Sequence, residues 1–171
     1  MTEPNGSEAR TGVVGYDGSP QADLALARAA QLARRNGRVA AVVAAPLLVH
    51  LGGDEEDEGG APLLAELRAR AAETLRDFGV AFDVDVTPLE PVDALVGRAH
   101  DERAEILVVG TRGRGRIARR ALGSVSAAVL QHAPCDVLVV RTGPARDERP
   151  ALDWPRRAVV AYDGSPWAGR A

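Results

Sequence analysis

The chain has 171 residues and a net charge of −3, with 24 acidic residues against 21 basic ones, every one of the latter arginine. That length suits one ordinary domain with some remainder. The acidic balance and an aromatic content of 4% argue against a general nucleic-acid binder or a stacking platform for single strands, and the lack of lysine excludes chemistry that needs a side-chain amine.

Residues 1–11 are polar and carry no apolar signal segment. They are expected to form a disordered N-terminal tail. No apolar run approaches the roughly 18 residues that cross a membrane. A single cysteine, Cys135, cannot close an internal disulfide, which fits a cytoplasmic protein. At the entry to a strand it reads as a small packed hydrophobe. His50, His100 and His132 are isolated, without metal-ligand spacing.

From residue 12 the pattern alternates strand and helix. Val13–Asp17 is a short apolar run ending in a turn. Ser19-Pro20 supplies an N-cap and a proline at the first helical position. Ala22, Ala25, Leu26, Ala29 and Ala33 follow at helical spacing, and Gly37 stops the helix. Val39–Ala45 reads as a buried strand. The acidic run Asp54–Glu58 between glycines reads as a solvated loop, with a lid or cation-collecting role as its alternative. Leu63–Phe78 is an amphipathic helix with Leu64, Leu67, Ala71 and Leu75 on one face, ended by Gly79. Ala81–Thr87 alternates as a strand. Val92–Arg103 is a helix with Leu95, Val96 and Ala99 inward. Ile106–Gly110 and Val137–Arg141 are further strands, with a helix over Val125–His132 between them. This alternation predicts a doubly wound α/β domain with a five-stranded parallel sheet and helices on both faces.

The most informative stretch is Gly110–Ser124. It reads Gly110-Thr111-Arg112-Gly113, then nine residues, then Gly123-Ser124. A strand that ends in glycines and feeds a helix N-terminus suits a phosphate. Glycines let the backbone approach the anion, and free N–H groups with the helix dipole favour negative charge. Ser124 suits the N-cap and can offer its hydroxyl to a phosphate oxygen. Two better-known phosphate loops are excluded. A Walker A loop requires a lysine. Gly113-Arg114-Gly115-Arg116-Ile117-Ala118 fits the dinucleotide fingerprint, but it lies late in the domain instead of in the first strand–helix turn, and Asp136 opens a strand instead of ending one.

The spacing Gly-x2-Gly-x9-Gly-Ser resembles the ATP-binding signature of the universal stress protein family. The likeness extends to Val13-Val14-Gly15-Tyr16-Asp17-Gly18-Ser19 and to Gly123–Arg141, and it spans residues 12–141. It implies a strand order of 3-2-1-4-5 and a dimeric domain that binds ATP or a related adenine nucleotide such as AMP. That order makes the first and fourth strands neighbours at the topological switch point, where such sheets bind ligands. The resemblance implies that Gly110, Thr111, Arg112, Gly113, Arg114 and Gly115 wrap the phosphates, with Ser124 and Val125 closing them from the helix after Gly123. It places Asp17 near the ribose or a bound Mg2+, which carboxylates beside phosphates commonly hold. Gly15 leaves room beside the ligand, and about Ala44 the second strand offers backbone atoms to adenine. The bland alternatives are glycines that serve only caps and turns and an Asp17 that only closes an Asx turn.

The function expected is a nucleotide-dependent stress-response regulator instead of an efficient catalyst, since no attacking base is evident. The alternatives are a slow Mg-dependent ATPase and a ligand-free dimerisation scaffold. A homodimer is expected, with the apolar strand Val137–Val140 as a candidate edge for pairing. No nucleic-acid or membrane partner is expected, and the sequence identifies no protein partner. Residues 142–157 read as a Pro/Arg/Asp-rich linker. Val159–Pro166 then repeats Val13–Pro20 with Ala161 in place of Gly15. Residues 158–171 therefore resemble the first strand of a second, truncated repeat. Such a strand is expected to be disordered, to add to an exposed edge, or to exchange between subunits.

Overall fold

The computed structural model describes residues 10–34, 37–44, 60–111 and 122–141. Within them the chain runs β1 (Arg10–Gly15), α1 (Pro20–Ala33), β2 (Gly37–Ala44), α2 (Gly60–Asp77), β3 (Ala81–Thr87), α3 (Pro91–Asp101), β4 (Ile106–Gly110), α4 (Ser124–His132) and β5 (Asp136–Val140). The five strands form one sheet in the order β3-β2-β1-β4-β5, and every pairing is parallel. Both the predicted class and the predicted order stand. No described helix is long and apolar enough to cross a membrane.

Parallel strands must be covered on both faces, and side chains alternate between them. On one face Val14, Val39, Ala41, Val43, Val84 and Val108 meet α1 and α2 through Leu26, Ala29, Leu67, Ala71 and Leu75. On the other, Val13, Ala40, Val42, Leu107 and Val109 meet Ala94, Leu95 and Ala99 of α3 and Val129 of α4. The helical faces read from the sequence are the buried ones, except that Leu64 and Val96 are only half-buried and Ala94 is buried beside Leu95.

Element boundaries shift where the sheet's hydrogen bonds overrule local pattern. β1 begins at Arg10, so Arg10 and Thr11, expected in the tail, belong to the strand. They pair with Gly37 and Arg38. Gly37 is the first residue of β2 and no mere helix stop. A Cβ on it would lie 2.8 Å from the Arg10 carbonyl oxygen and 2.9 Å from Ala33 Cα. Gly79 does end α2, in the left-handed conformation at φ 66°. Arg141 lies just past β5, and Ala45, Asp54–Glu58 and residues 142–171 lie outside the described residues.

β3 alternates apolar Phe82, Val84 and Val86 with Asp83 and Asp85. Arg98 of α3 reaches Asp83 at 2.5 Å, Asp85 at 3.7 Å and Glu102 at 2.9 Å, and Arg38 joins Glu102 at 2.9 Å. One guanidinium thus bridges the two carboxylates on that face of β3.

Gly37→Ala should destabilise the domain by about 1–3 kcal/mol, because both contacts are backbone and cannot swing aside. Gly97→Ala is the control, since a Cβ on this exposed α3 glycine meets nothing within 4 Å. It should stabilise by about 0.5–1 kcal/mol through helix propensity. Urea midpoints at unchanged m-value measure both.

Candidate functional site

The order of the sheet sets β1 beside β4, with Val13 level with Leu107 and Val14 with Val108. Both strands point their carboxyl ends the same way, so the turn after β1 and the loop after β4 leave from one edge. β2 and β5 end there too, at Ala44 and Val140. Parallel sheets bind ligands at this kind of edge.

After Gly15 the chain leaves the ladder, although the Tyr16 N–H still donates to the Val42 carbonyl at 2.9 Å. Gly18 turns the backbone at φ 74°, and the Ser19 N–H donates to Asp17 Oδ1 at 3.0 Å. The Ser19 hydroxyl then accepts from the Ala22 N–H at 3.2 Å and caps α1 as expected. Asp17 is therefore tied into its own turn at the edge of the sheet. Gly15 has a packing role, because a Cβ there would lie 3.1 Å from Leu95 Cδ1 and 3.7 Å from Val109 Cγ1. Ala44 is the last residue of β2, half-buried and paired with Thr87.

The loop after β4 is fixed at both ends. The Thr111 N–H donates to the Val140 carbonyl at 2.8 Å, and the Gly123 N–H donates to the Thr111 carbonyl at 2.8 Å. The Ser126 hydroxyl, buried inside the first turn of α4, donates to the Gly110 carbonyl at 2.6 Å. These bonds hold the α4 N-terminus against the end of β4. Gly123, not Ser124, is the N-cap residue, and a glycine has no side chain with which to cap the helix. Ser124 is the first helical residue and is exposed, because the chain must stay extended through Gly123 to reach Thr111. The first N–H groups of α4 have no intrahelical acceptor, as at every helix start. Val125 is half-buried in that turn. Gly110, Thr111, Gly123, Ser124 and Val125 are thus brought together, while Arg112, Gly113, Arg114 and Gly115 lie outside the described residues.

Two residues of this edge escaped the sequence reading. Ser126 could have been noticed as a second serine in an otherwise apolar first turn. Tyr16 is buried, and its hydroxyl donates to Asp23 Oδ1 on α1 at 2.8 Å. Asp23 in turn pairs with Arg70 of α2. Burial, then the hydrogen bond and charge of Asp23, hold the Tyr16 phenol well above its ordinary value near 10. Burial likewise raises the Cys135 thiol, with Asp136 adding to it. Among the described residues no group of three or more His, Cys, Asp or Glu could hold a metal ion.

A parallel α/β sheet with a glycine-ended strand and a helix start meeting at its switch point defines a class of ligand-binding domain. The sequence profile of the universal stress protein family matches residues 9–141, and the chain belongs to that family. A universal stress protein of Mycobacterium tuberculosis is 39% identical over 144 residues, covering 78% of this chain and 97% of that one. A universal stress protein solved in complex with cAMP aligns with a TM-score of 0.62 and 33% identity, over 79% of this chain and 98% of that one. One from Archaeoglobus fulgidus in complex with dAMP aligns with a TM-score of 0.61 and 27% identity, over 77% and 97% of the two chains.

Two outcomes test this geometry. Tyr16 holds its proton more tightly folded than unfolded, so its contribution to stability is full below pH 10 and is lost as pH rises above that. Wild type should therefore lose stability above pH 10 more steeply than Tyr16→Phe, and the variant should lack the late-titrating phenol in ultraviolet absorbance. Ser126→Ala leaves the Gly110 carbonyl without its hydroxyl donor. It should cost about 1–2 kcal/mol in denaturant unfolding and speed hydrogen exchange at Thr111 and Gly123.

Proposed function

We propose that this protein binds an adenine nucleotide, ATP with Mg2+ foremost, at the carboxyl edge of β1 and β4, and works as a nucleotide-dependent regulator in the stress response. The observation that carries the reading is the clasp of Gly123 on Thr111. It sets a glycine-ended strand against a helix start, where backbone N–H groups and the helix dipole favour a phosphate. The cAMP and dAMP complexes of related proteins support the adenine base.

In this reading Gly110 to Gly115 wrap the phosphates, and Arg112 and Arg114 add charge-assisted bonds. Ser124 and Val125 close the phosphates from α4, and backbone atoms near Ala44 meet adenine. Asp17 meets the ribose or holds Mg2+ together with the nucleotide's own oxygens. The magnesium ion would offset phosphate charge. Asp17 is the carboxylate of the described edge that could also turn the site toward slow hydrolysis. The assembly is a homodimer whose formation or partner binding follows occupancy. The exposed Leu122 and Leu130 at α4 offer it an apolar surface.

Calorimetric titration with Mg-ATP of wild type beside Gly113→Asp tests the site. The variant sets a carboxylate where phosphate would lie, and like charges at close range repel. Stoichiometric binding should fall at least tenfold while the unfolding midpoint stays unchanged. Equal affinity in both proteins overturns the site assignment. Steady phosphate release that disappears in Asp17→Asn would favour the hydrolytic alternative, and no binding by wild type would favour the scaffold.

A further inference from the structure

At the end of the sheet where the strands begin, opposite the carboxyl edge of β1 and β4, lies a cleft of about 230 Å3. A helix that joins two parallel strands runs back against them, so α1 ends where β1, β4 and β5 start. Ala29, Leu32 and Ala33 of α1 form one wall of the cleft, and Gly12 and Ile106 form the other. Gly12 is what keeps it open. It lies inside β1, paired with Val39 and Ile106 in an unbroken ladder, where glycine costs backbone entropy and packs nothing. Its neighbours do not demand it. A Cβ there would lie 3.6 Å from Ile106 Cγ2, an ordinary van der Waals contact. Gly37 and Gly15, by contrast, would bring a Cβ to 2.8 Å and 3.1 Å from their nearest neighbours. A strand glycine with room to spare leaves space for something else, and close approach of a ligand is one of the few uses of such a residue.

Charge decides what suits the space. Arg10, Glu105 and Asp136 line the cleft and are all exposed. The Glu105 N–H donates to the Thr11 carbonyl at 3.0 Å, which fixes it beside β1, and Arg10 lies 3.4 Å from its carboxylate and offsets it. Asp136 has no ion pair among the described residues. The end of α1 adds the negative pole of its dipole, and the last turn of that helix carries no basic residue. The balance is negative between apolar walls, so the complement is a cation on an aliphatic stem. A calcium ion takes six to eight oxygens, and among the described residues no group of three or more His, Cys, Asp or Glu could hold a metal ion. Drug-sized ligands fill roughly 300–1,000 Å3, so the occupant is smaller than those. Arg10 at the rim would meet a basic protein surface with like charge, which favours a free amine over the lysine of a partner.

We propose that this cleft is a second ligand site and takes a small free alkylammonium, with the ammonium on Asp136 and the chain lying over Gly12 between Leu32 and Ile106. This inference does not depend on nucleotide binding at the opposite edge.

The probe is n-butylammonium, titrated into the full chain while backbone amide chemical shifts are followed. Saturable shifts are expected at Gly12, Ala33, Ile106 and Asp136. The neutral counterpart n-butanol should bind at least tenfold more weakly, because it forfeits the charge-assisted bond. Asp136→Asn should weaken butylammonium at least fivefold, while Glu73→Gln, an exposed carboxylate on α2, should leave it unchanged. Gly12→Val sets a side chain in the cleft and should abolish the shifts, with the urea midpoint showing that the fold is kept. Asp136→Asn alters only an exposed side chain, so it decides the matter should Gly12→Val fail to fold. Shifts that never saturate, equal binding of n-butanol, or full affinity in Asp136→Asn would overturn the proposal. Tighter binding of Nα-acetyl-lysine methylamide than of butylammonium would overturn it too, in favour of a lysine side chain on a partner.

Discussion

The pairing of β1 with β4 is the constraint on which the rest depends. Only Gly12, Val13 and Val14 meet Ile106, Leu107 and Val108 in that ladder, yet it joins the two halves of the sheet. Val13, Val14, Leu107 and Val108 are fully buried, so the pairing cannot slip by one residue without turning valines and leucine to the wrong face. The same register sets the turn after Gly15 and the loop after Gly110 on one edge. Site and core therefore share a cause. A ligand at that edge would be met by backbone that the hydrophobic packing of four central residues has already placed.

Rigid strands alone would leave the loop after β4 to wander. Its two ends are instead drawn together by the Gly123–Thr111 and Ser126–Gly110 hydrogen bonds, and Thr111 is pinned to Val140 of the neighbouring strand. Closing a loop at its base removes chain entropy before any ligand arrives, and a site ordered beforehand would cost less to occupy. On the other side of the edge, Tyr16, Asp23 and Arg70 tie the β1 turn to α1 and α2. Both walls are thus held by polar contacts, which are directional where hydrophobic packing is not.

The strand–helix alternation, the parallel class and the inward faces of α1 and α2 were legible because burial on both sides of a sheet demands long apolar runs and helical stripes. Strand order was not legible from those patterns and came only with the family resemblance. Boundaries failed where a distant hydrogen bond decides. Arg10 and Thr11 look like tail, but β2 gives them partners. Gly37 looks like a helix stop, but Arg10 and Ala33 press on it. Ser124 looked like a cap because its type is right, and the clasp on Thr111 gave that place to Gly123. Ser126 and Asp23 act across the fold, on Gly110 and Tyr16, and their partners cannot be seen from local spacing.

Gly15 shows how one position can serve the fold twice. Its missing side chain admits Leu95, which lets α3 settle closely on the sheet. The same tightness distinguishes two nearly identical segments of the chain, since Val159–Pro166 differs from Val13–Pro20 only by a methyl group at that point. In a close-packed interior a single methyl is felt. The central slot therefore suits glycine at position 15 on steric grounds.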